Sequence, residues 1–277
     1  MRIGCHLSVS RGFDKMVERA VELEADVVQY FPKNPKSYRP KSFDREEYRR
    51  LAQAAVASDV RSVAHSPYVT NLSAPDDGLR ATSVASIVND LEIADAYRTD
   101  YLVVHCGKHV GEGRERGIAL MVDSVNRVLE QFAGDTVFLM ENTAGQGTEL
   151  GAEIDEILEI YDRIEQKERV GVCFDTCHAF VAGILDFEAL DDFFRRFCDD
   201  AFLPLVKVIH LNDSKAPFAA RRDRHELLGR GEIGAENFAR FLAHPSLKDL
   251  PVIIETPVDD EMEYAGEIKL ARAWAGN

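Results

Sequence analysis

Six short apolar runs in this chain each end on a histidine or a carboxylate. In order they are SVAH ending at His65, YLVVH at His105, VFLME at Glu141, VGVCFD at Asp175, VKVIH at His210 and PVIIE at Glu255. Imidazole and carboxylate together are the donor set that suits zinc and similar divalent ions. The six ends are separated by roughly 35 to 45 residues, about one strand plus one helix each. A barrel of alternating strands and helices gathers the carboxyl ends of its strands around one mouth. Six ionisable groups gathered there would be costly to bury unless paired or coordinated, and a multivalent cation relieves them together.

Two further pieces extend the set. FDTCH places His178 three residues after Asp175, so one strand-to-helix turn offers a carboxylate and an imidazole. RRDRH offers Asp223 and His225, alternate residues that share a face if the segment is extended. The nine positions supply five imidazoles and four carboxylates. That exceeds one four-coordinate ion and suits two or three.

The elements that must position these residues are legible as eight apolar runs, at 2–8, 26–31, 62–66, 101–107, 136–142, 170–176, 206–213 and 251–257. Their near-continuous apolar character fits strands buried on both faces of a parallel sheet. Between them lie amphipathic stretches at 13–24, 45–58, 80–97, 153–164 and 186–197. The expected fold is α/β, a single (β/α)8 TIM barrel spanning residues 1–277, since about 250 residues suffice for one. An open doubly wound sheet is the alternative, but no glycine-rich phosphate loop follows the first run. Segments 32–43, 66–79 and 213–233 are longer than packing requires and should emerge on the donor-bearing face, where such loops bind substrate.

Composition bounds the partners. Hydrophobic content of 45% and charged content of 29% are those of a globular domain. No apolar run reaches the ~18 residues of a membrane helix, and the start MRIGCHLSVSRGFDK lacks an apolar leader, so a cytoplasmic location is expected. The five cysteines are expected to be reduced and mostly buried. A net charge of −15 disfavours broad attraction to nucleic acid, but it describes the average surface and leaves room for a local basic rim.

The segments ENTAGQGTELG (141–151), VGVCFDTCHAFVAG (170–183), HLNDSK (210–215), RRDRHELLGRGEIG (221–234) and IIET (253–256) together resemble the signatures of the endonuclease IV family. The resemblance runs from IGCHLS through KNP and AHSPY to the last strand. It implies a trinuclear-zinc apurinic/apyrimidinic endonuclease of base excision repair, with manganese accepted in one site. The DNA would be cut 5′ to an abasic site, leaving a 3′-hydroxyl and a 5′-deoxyribose phosphate. Carried over residue by residue, it implies that His65 and His105 hold one ion and that Glu141 bridges it to a second. Asp175, His210 and Glu255 would complete the second position, and His178, Asp223 and His225 the third. Glu141 would then be the catalytic bridge, with a metal-bound hydroxide as the nucleophile, because zinc lowers the pKa of bound water toward ~7.

Substrate contacts are expected from the loops. Asn34, Lys36, Tyr38, Tyr68, Leu72, Arg222 and Arg224 are the candidates, with Tyr68 reading the gap in the duplex and Leu72 acting as an apolar wedge. A basic crescent of Lys33, Lys36, Arg39, Lys41, Lys108, Lys215, Arg221, Arg222, Arg224 and Arg230 would meet phosphates of double-stranded DNA. His6 and His109 are candidates for a phosphate contact or for supporting a ligand. No protein partner is implied and a monomer is expected. Two departures from the family pattern stand out: Cys106 where relatives carry proline after the histidine, and Pro35-Lys36-Ser37-Tyr38 where they carry an Arg-Gln-Trp-like sequence. A rival enzyme class is the sugar isomerases and epimerases of xylose-isomerase-like barrels, which also gather His, Asp and Glu around one or two ions. A metal-dependent damage-sensing protein without cleavage is the non-enzymatic alternative.

Overall fold

Apolar residues in unbroken runs can be satisfied only where both faces of a strand are covered, and each of the eight runs forms such a strand. The computed structural model describes residues 1–199 and 201–276. In chain order the strands are β1 (Ile3–His6), β2 (Val27–Tyr30), β3 (Arg61–His65), β4 (Tyr101–His105), β5 (Val137–Glu141), β6 (Val170–Asp175) and β7 (Val206–His210). Two short strands follow, β8 (Asp213–Ser214) and β9 (His225–Glu226), and then β10 (Val252–Ile254). All strands but the short pair close one parallel barrel in the order β1-β10-β7-β6-β5-β4-β3-β2, as expected of a TIM barrel. β8 and β9 form a separate antiparallel ribbon that folds the long seventh loop back on itself.

The helices are α1 (Phe13–Glu22), α2 (Arg45–Leu51), α3 (Gln53–Ala57), α4 (Asp77–Ala96), α5 (Arg114–Gln131), α6 (Ile154–Arg163), α7 (Thr176–Ala182), α8 (Leu190–Phe197), α9 (Ala235–Leu242) and α10 (Tyr264–Trp274). The amphipathic stretch 45–58 is two helices, broken at Ala52, whose φ −59 and ψ −21 tighten the turn toward 3-10 geometry. The helix expected from residue 80 begins three residues earlier, because Asp76 accepts a hydrogen bond from the Leu79 amide at 2.7 Å. Apolar periodicity does not register such a cap. No helix among the described residues is long and apolar enough to cross a membrane.

The barrel interior is an apolar plug of Val27, Val63, Val103, Leu139, Cys173, Val208 and Ile253, distinct from the larger core between sheet and helices. Side chains along a strand alternate between faces, so residues two apart share a face. Two positions beyond the plug residues stand Gln29, His65, His105, Glu141, Asp175, His210 and Glu255. The candidate donors therefore form the layer directly above the plug.

β1 contributes Gly4 at the level of the plug. A Cβ there would lie 1.6 Å from the Val27 carbonyl oxygen, so only glycine lets β1 register against β2. Gly4→Ala should therefore push β1 off β2 and cost on the order of 3 kcal/mol or more. A urea unfolding midpoint equal to that of the parent would contradict this account of barrel closure.

Candidate metal centre

Seven of the nine candidate residues sit at the ends of barrel strands or just beyond, and the other two come from the seventh loop. His105 and Glu141 are paired neighbours across β4 and β5, and Asp175 and His210 across β6 and β7. His178 occupies the first turn of α7, where Asp175 caps the helix by accepting from the His178 amide at 2.7 Å. Asp223 and His225 arrive on the arm that leads into β9. That arm is folded by the buried Asp213, whose carboxylate accepts from the amides of Ser214, Gly231, Ile233 and Gly234. The structure thus brings all nine together.

Their donor atoms form three groups built of histidine and carboxylate alone, each with atoms within 4.8 Å of one another: His65, His105 and Glu141; Glu141, Asp175, His210 and Glu255; and His178, Asp223 and His225. Glu141 belongs to the first two. Its Oε2 lies 2.9 Å from His105 Nε2 and 3.2 Å from His65 Nε2, while its Oε1 lies 3.0 Å from His210 Nδ1. His178 Nε2 and His225 Nε2 approach Asp223 at 3.4 and 3.3 Å.

The ring orientations test whether ions fit. His65 Nδ1 donates to the Ser66 carbonyl at 2.8 Å and His178 Nδ1 to the Asn142 carbonyl at 2.9 Å. A carbonyl only accepts, so these bonds leave the lone pair on Nε2, which faces the carboxylates. His225 Nδ1 faces the Glu255 carbonyl at 3.4 Å, and its Nε2 is buried with no hydrogen-bond partner. Lone pairs turned toward carboxylates repel them unless a proton or a metal cation lies between. Supporting groups lock the acids as well: Asn212 Nδ2 donates to Asp175 Oδ2 at 2.7 Å, and the Asn142 side chain bonds the Asp175 backbone. This donor set fits divalent ions of the zinc type.

Comparison with known proteins agrees with that chemistry. The xylose isomerase-like TIM barrel family model matches residues 17–275. The probable endonuclease 4 of Symbiobacterium thermophilum is 46% identical over 273 residues, covering 99% of this chain and 99% of its own. The chain belongs to the endonuclease IV family. The crystal structure of endonuclease IV from Thermus thermophilus superimposes with a TM-score of 0.83 at 33% identity, covering 100% of this chain and 99% of that one. A D-tagatose 3-epimerase-like protein superimposes with a TM-score of 0.73 over 100% of this chain and 98% of its own, but at 20% identity this shows the fold alone.

Several loop residues are not where an endonuclease IV reading of the sequence alone puts them. Leu72 is not an exposed wedge: it is 1% exposed, packed in the core beneath the loop after β3. Ser124 Oγ donates to its carbonyl at 2.8 Å, and Asn71 and Ser73 strap the same loop to Lys108 and Cys106. Those straps also hold the turn where Cys106 replaces proline. Lys33 leaves the basic rim, because its Nζ is buried 2.9 Å from Asp90 and donates to the Ser86 carbonyl. Lys108 and Lys215 are paired with Glu149 and Glu226. Tyr38 is half-buried and its hydroxyl donates to the Val69 carbonyl, joining the loops after β2 and β3. Asn34 shapes its own turn by accepting from the Lys36 amide at 2.9 Å.

Tyr68 is 63% exposed, edge-on to Phe31, with its ring 5.7 Å from that of His65 and 6.2 Å from that of His105. Lys36, Arg39 and Arg222 are exposed and form no ion pair among the described residues, and Arg224 is exposed beside its own Asp223 carbonyl. His109 accepts from the Gly113 amide and shapes its loop, whereas His6 lies 3.6 Å from Glu255. Sequence reasoning missed Gln29, Asn142 and Asn212. Gln29 was signalled by being the lone polar residue inside DVVQYF, and the asparagines by following Glu141 and His210 within two residues. All five cysteines are free, and burial pushes the thiols of Cys173 and Cys177, which lie near the acids, up to about 12. Both stay protonated and are poor donors.

Electrostatics in the metal-free cluster follow from the same geometry. Burial alone would raise Glu141, but His105 and His210 outweigh it and hold its carboxyl well below the usual carboxylate range. Burial likewise opposes protonation of His178 and His210, yet Asp175 and Asp223 for the first, and Glu255 and Glu141 for the second, raise them well above 6.5. Raised histidines contribute stability that is fully present below about pH 6.5 and is lost as the pH rises through their folded values. The depressed carboxylates lose theirs only on acidification. Metal binding needs those imidazoles deprotonated. Metal-free protein should therefore lose thermal stability from about pH 6.5 upward while the gain on adding zinc grows. Calorimetric melts with and without zinc at about pH 6.5 and 8.5 measure this, and equal increments at both would refute it.

Proposed function

We propose that this chain is a zinc-dependent apurinic/apyrimidinic endonuclease, hydrolysing double-stranded DNA on the 5′ side of an abasic site to leave a 3′-hydroxyl and a 5′-deoxyribose phosphate. The observation that carries the reading is the nine-residue donor cluster in an endonuclease IV family chain, with Glu141 common to two of its three histidine and carboxylate groups. Three zinc ions would be held, by His65, His105 and Glu141; by Glu141, Asp175, His210 and Glu255; and by His178, Asp223 and His225, one position also accepting manganese. One chain supplies every group, so the reading needs no second subunit.

When bound, such ions would polarise the phosphodiester and acidify water, supplying an attack that no side chain among the described residues is placed to make. The chain's own part is placement. Glu141, kept ionised by its imidazole neighbours, fixes the spacing of the first two positions. Asn212 holds the Asp175 carboxylate and Asn142 its backbone, and the ribbon of β8 and β9 brings Asp223 and His225 over the opening. Tyr68 stands beside His65 and His105 at the rim, where an extruded abasic nucleotide must pass. Abasic positions are cheap to extrude because no base stacks or pairs there. Exposed Lys36, Arg39, Arg222 and Arg224 would take phosphates, a local basic set on a chain of net charge −15.

Elemental analysis of purified protein should find about three zinc ions per chain. Glu141→Gln should lower cleavage of a duplex carrying one abasic analogue by several orders of magnitude while DNA binding persists; activity within about tenfold of the parent would refute the bridging role. Arg222→Ala should flatten the salt dependence of DNA affinity by about one unit of slope. Tyr68→Ala should instead reduce the preference for abasic over intact duplex with the slope unchanged. An unaltered preference in a binding titration would return Tyr68 to a packing role.

A further inference from the structure

Every barrel strand from β3 onward ends its inward-facing row on an imidazole or carboxylate, but β2 ends its row on Gln29, a neutral amide that is fully buried. Two of its three hydrogen-bonding contacts run to candidate ligands and the third to His6. Gln29 Oε1 lies 2.8 Å from His210 Nε2, and its Nε2 lies 2.5 Å from Glu255 Oε1 and 3.1 Å from His6 Nδ1. We propose that Gln29 is a positioning residue: it selects the ring nitrogen that His210 offers to the centre, holds Glu255 beside it, and so sets the zinc affinity of the second position. The proposal rests on the three-ion reading above.

The argument is one of donors and acceptors. An ionised carboxylate only accepts, so the amide must face Glu255 with its NH2 group. The reversed amide would set its oxygen against a carboxylate oxygen. With the NH2 group toward Glu255, the carbonyl oxygen faces His210 and accepts from Nε2, which must carry the hydrogen. The second amide hydrogen is taken by His6 Nδ1, so both amide hydrogens and the carbonyl oxygen of this buried side chain are engaged. That leaves Nδ1 to face the centre, 3.0 Å from Glu141 Oε1 and 2.9 Å from Glu255 Oε2, as a proton donor without metal and as the ligand atom once a cation replaces that proton. The other half of the Glu255 carboxylate is the oxygen that Gln29 holds. One neutral side chain thereby orients two of the four donors around the second position and adds no charge to it. Backbone carbonyls do the same work for His65 and His178, whereas His210, at the centre of the layer, depends on a side chain.

Two variants separate the contributions. Gln29→Leu approximates the volume and removes every hydrogen bond. Gln29→Glu keeps an acceptor for His210 Nε2–H but opposes Glu255 with a second carboxylate. Nitrogen-15 spectra of histidine-labelled, zinc-loaded protein report which ring nitrogen of His210 carries the hydrogen, and titration of zinc against a chromophoric chelator reports each affinity. In the parent, His210 should carry its proton on Nε2. In Gln29→Leu that preference should be lost, and one of three zinc ions should bind about tenfold to a hundredfold more weakly with the other two unchanged. Gln29→Glu should retain the Nε2 proton and still weaken the same ion, and it decides the matter if Gln29→Leu does not fold. Unchanged zinc affinities in either folded variant, or a His210 tautomer in the parent with its proton on Nδ1, would overturn the proposal. A parent holding fewer than three ions would instead overturn the three-ion reading, and the tautomer measurement would still decide the role of Gln29.

Discussion

Side chains of a parallel strand alternate between its two faces, and a closed barrel turns one of those faces inward on every strand. That geometric constraint governs the rest of this molecule. A plug of valine, leucine, isoleucine and one cysteine fills the barrel, and the next inward position on each strand opens at the mouth. Ionisable groups placed there are shielded from water below and converge above. No other layer of the fold could bring His65, His105, Glu141, Asp175, His210 and Glu255 within reach of one another from such distant places in the chain.

Convergence creates an electrostatic problem that shapes the surroundings. Four carboxylates and five imidazoles in a poorly solvated mouth are stable only if each is pinned and their charges balance. The pins are mostly backbone or amide groups: Ser66 and Asn142 carbonyls for two histidines, Asn212 and Asn142 for Asp175, Gln29 for His210 and Glu255. Neutral supports leave the balance to the groups they hold. In the metal-free protein the imidazoles achieve it by holding protons, which is why His178 and His210 are raised while Glu141 and Glu255 are lowered. Cations of higher charge can replace those protons, so metal uptake and pH are linked.

Outside the donor layer the loops are tied both to one another and to the surrounding helices. Tyr38 joins the second loop to the third, Asn71 and Ser73 join the third to the fourth, and Asp213 folds the seventh. The rim above the donor layer is thus cross-linked from the second loop to the fourth, with Tyr68 its most exposed aromatic ring. The buried pair of Lys33 and Asp90 anchors the second loop to α4.

The donor residues and the barrel were legible in the sequence for one reason: alternation is a local rule, and a polar residue ending an apolar run keeps its phase however the chain folds. The same rule marked Gln29, but a neutral amide carries no sign of which neighbours it will face. What decided its contacts, and those of the rim, was packing between segments far apart in sequence. Leu72 reads as exposed in a polar loop, yet the strap to Cys106 and Ser124 turns it into the core. Lys33 reads as a phosphate contact until α4 supplies Asp90 within 2.9 Å. Cation and apolar residue alike have two acceptable fates at a surface loop, solvent or a buried partner, and only the tertiary structure supplies the partner that chooses between them.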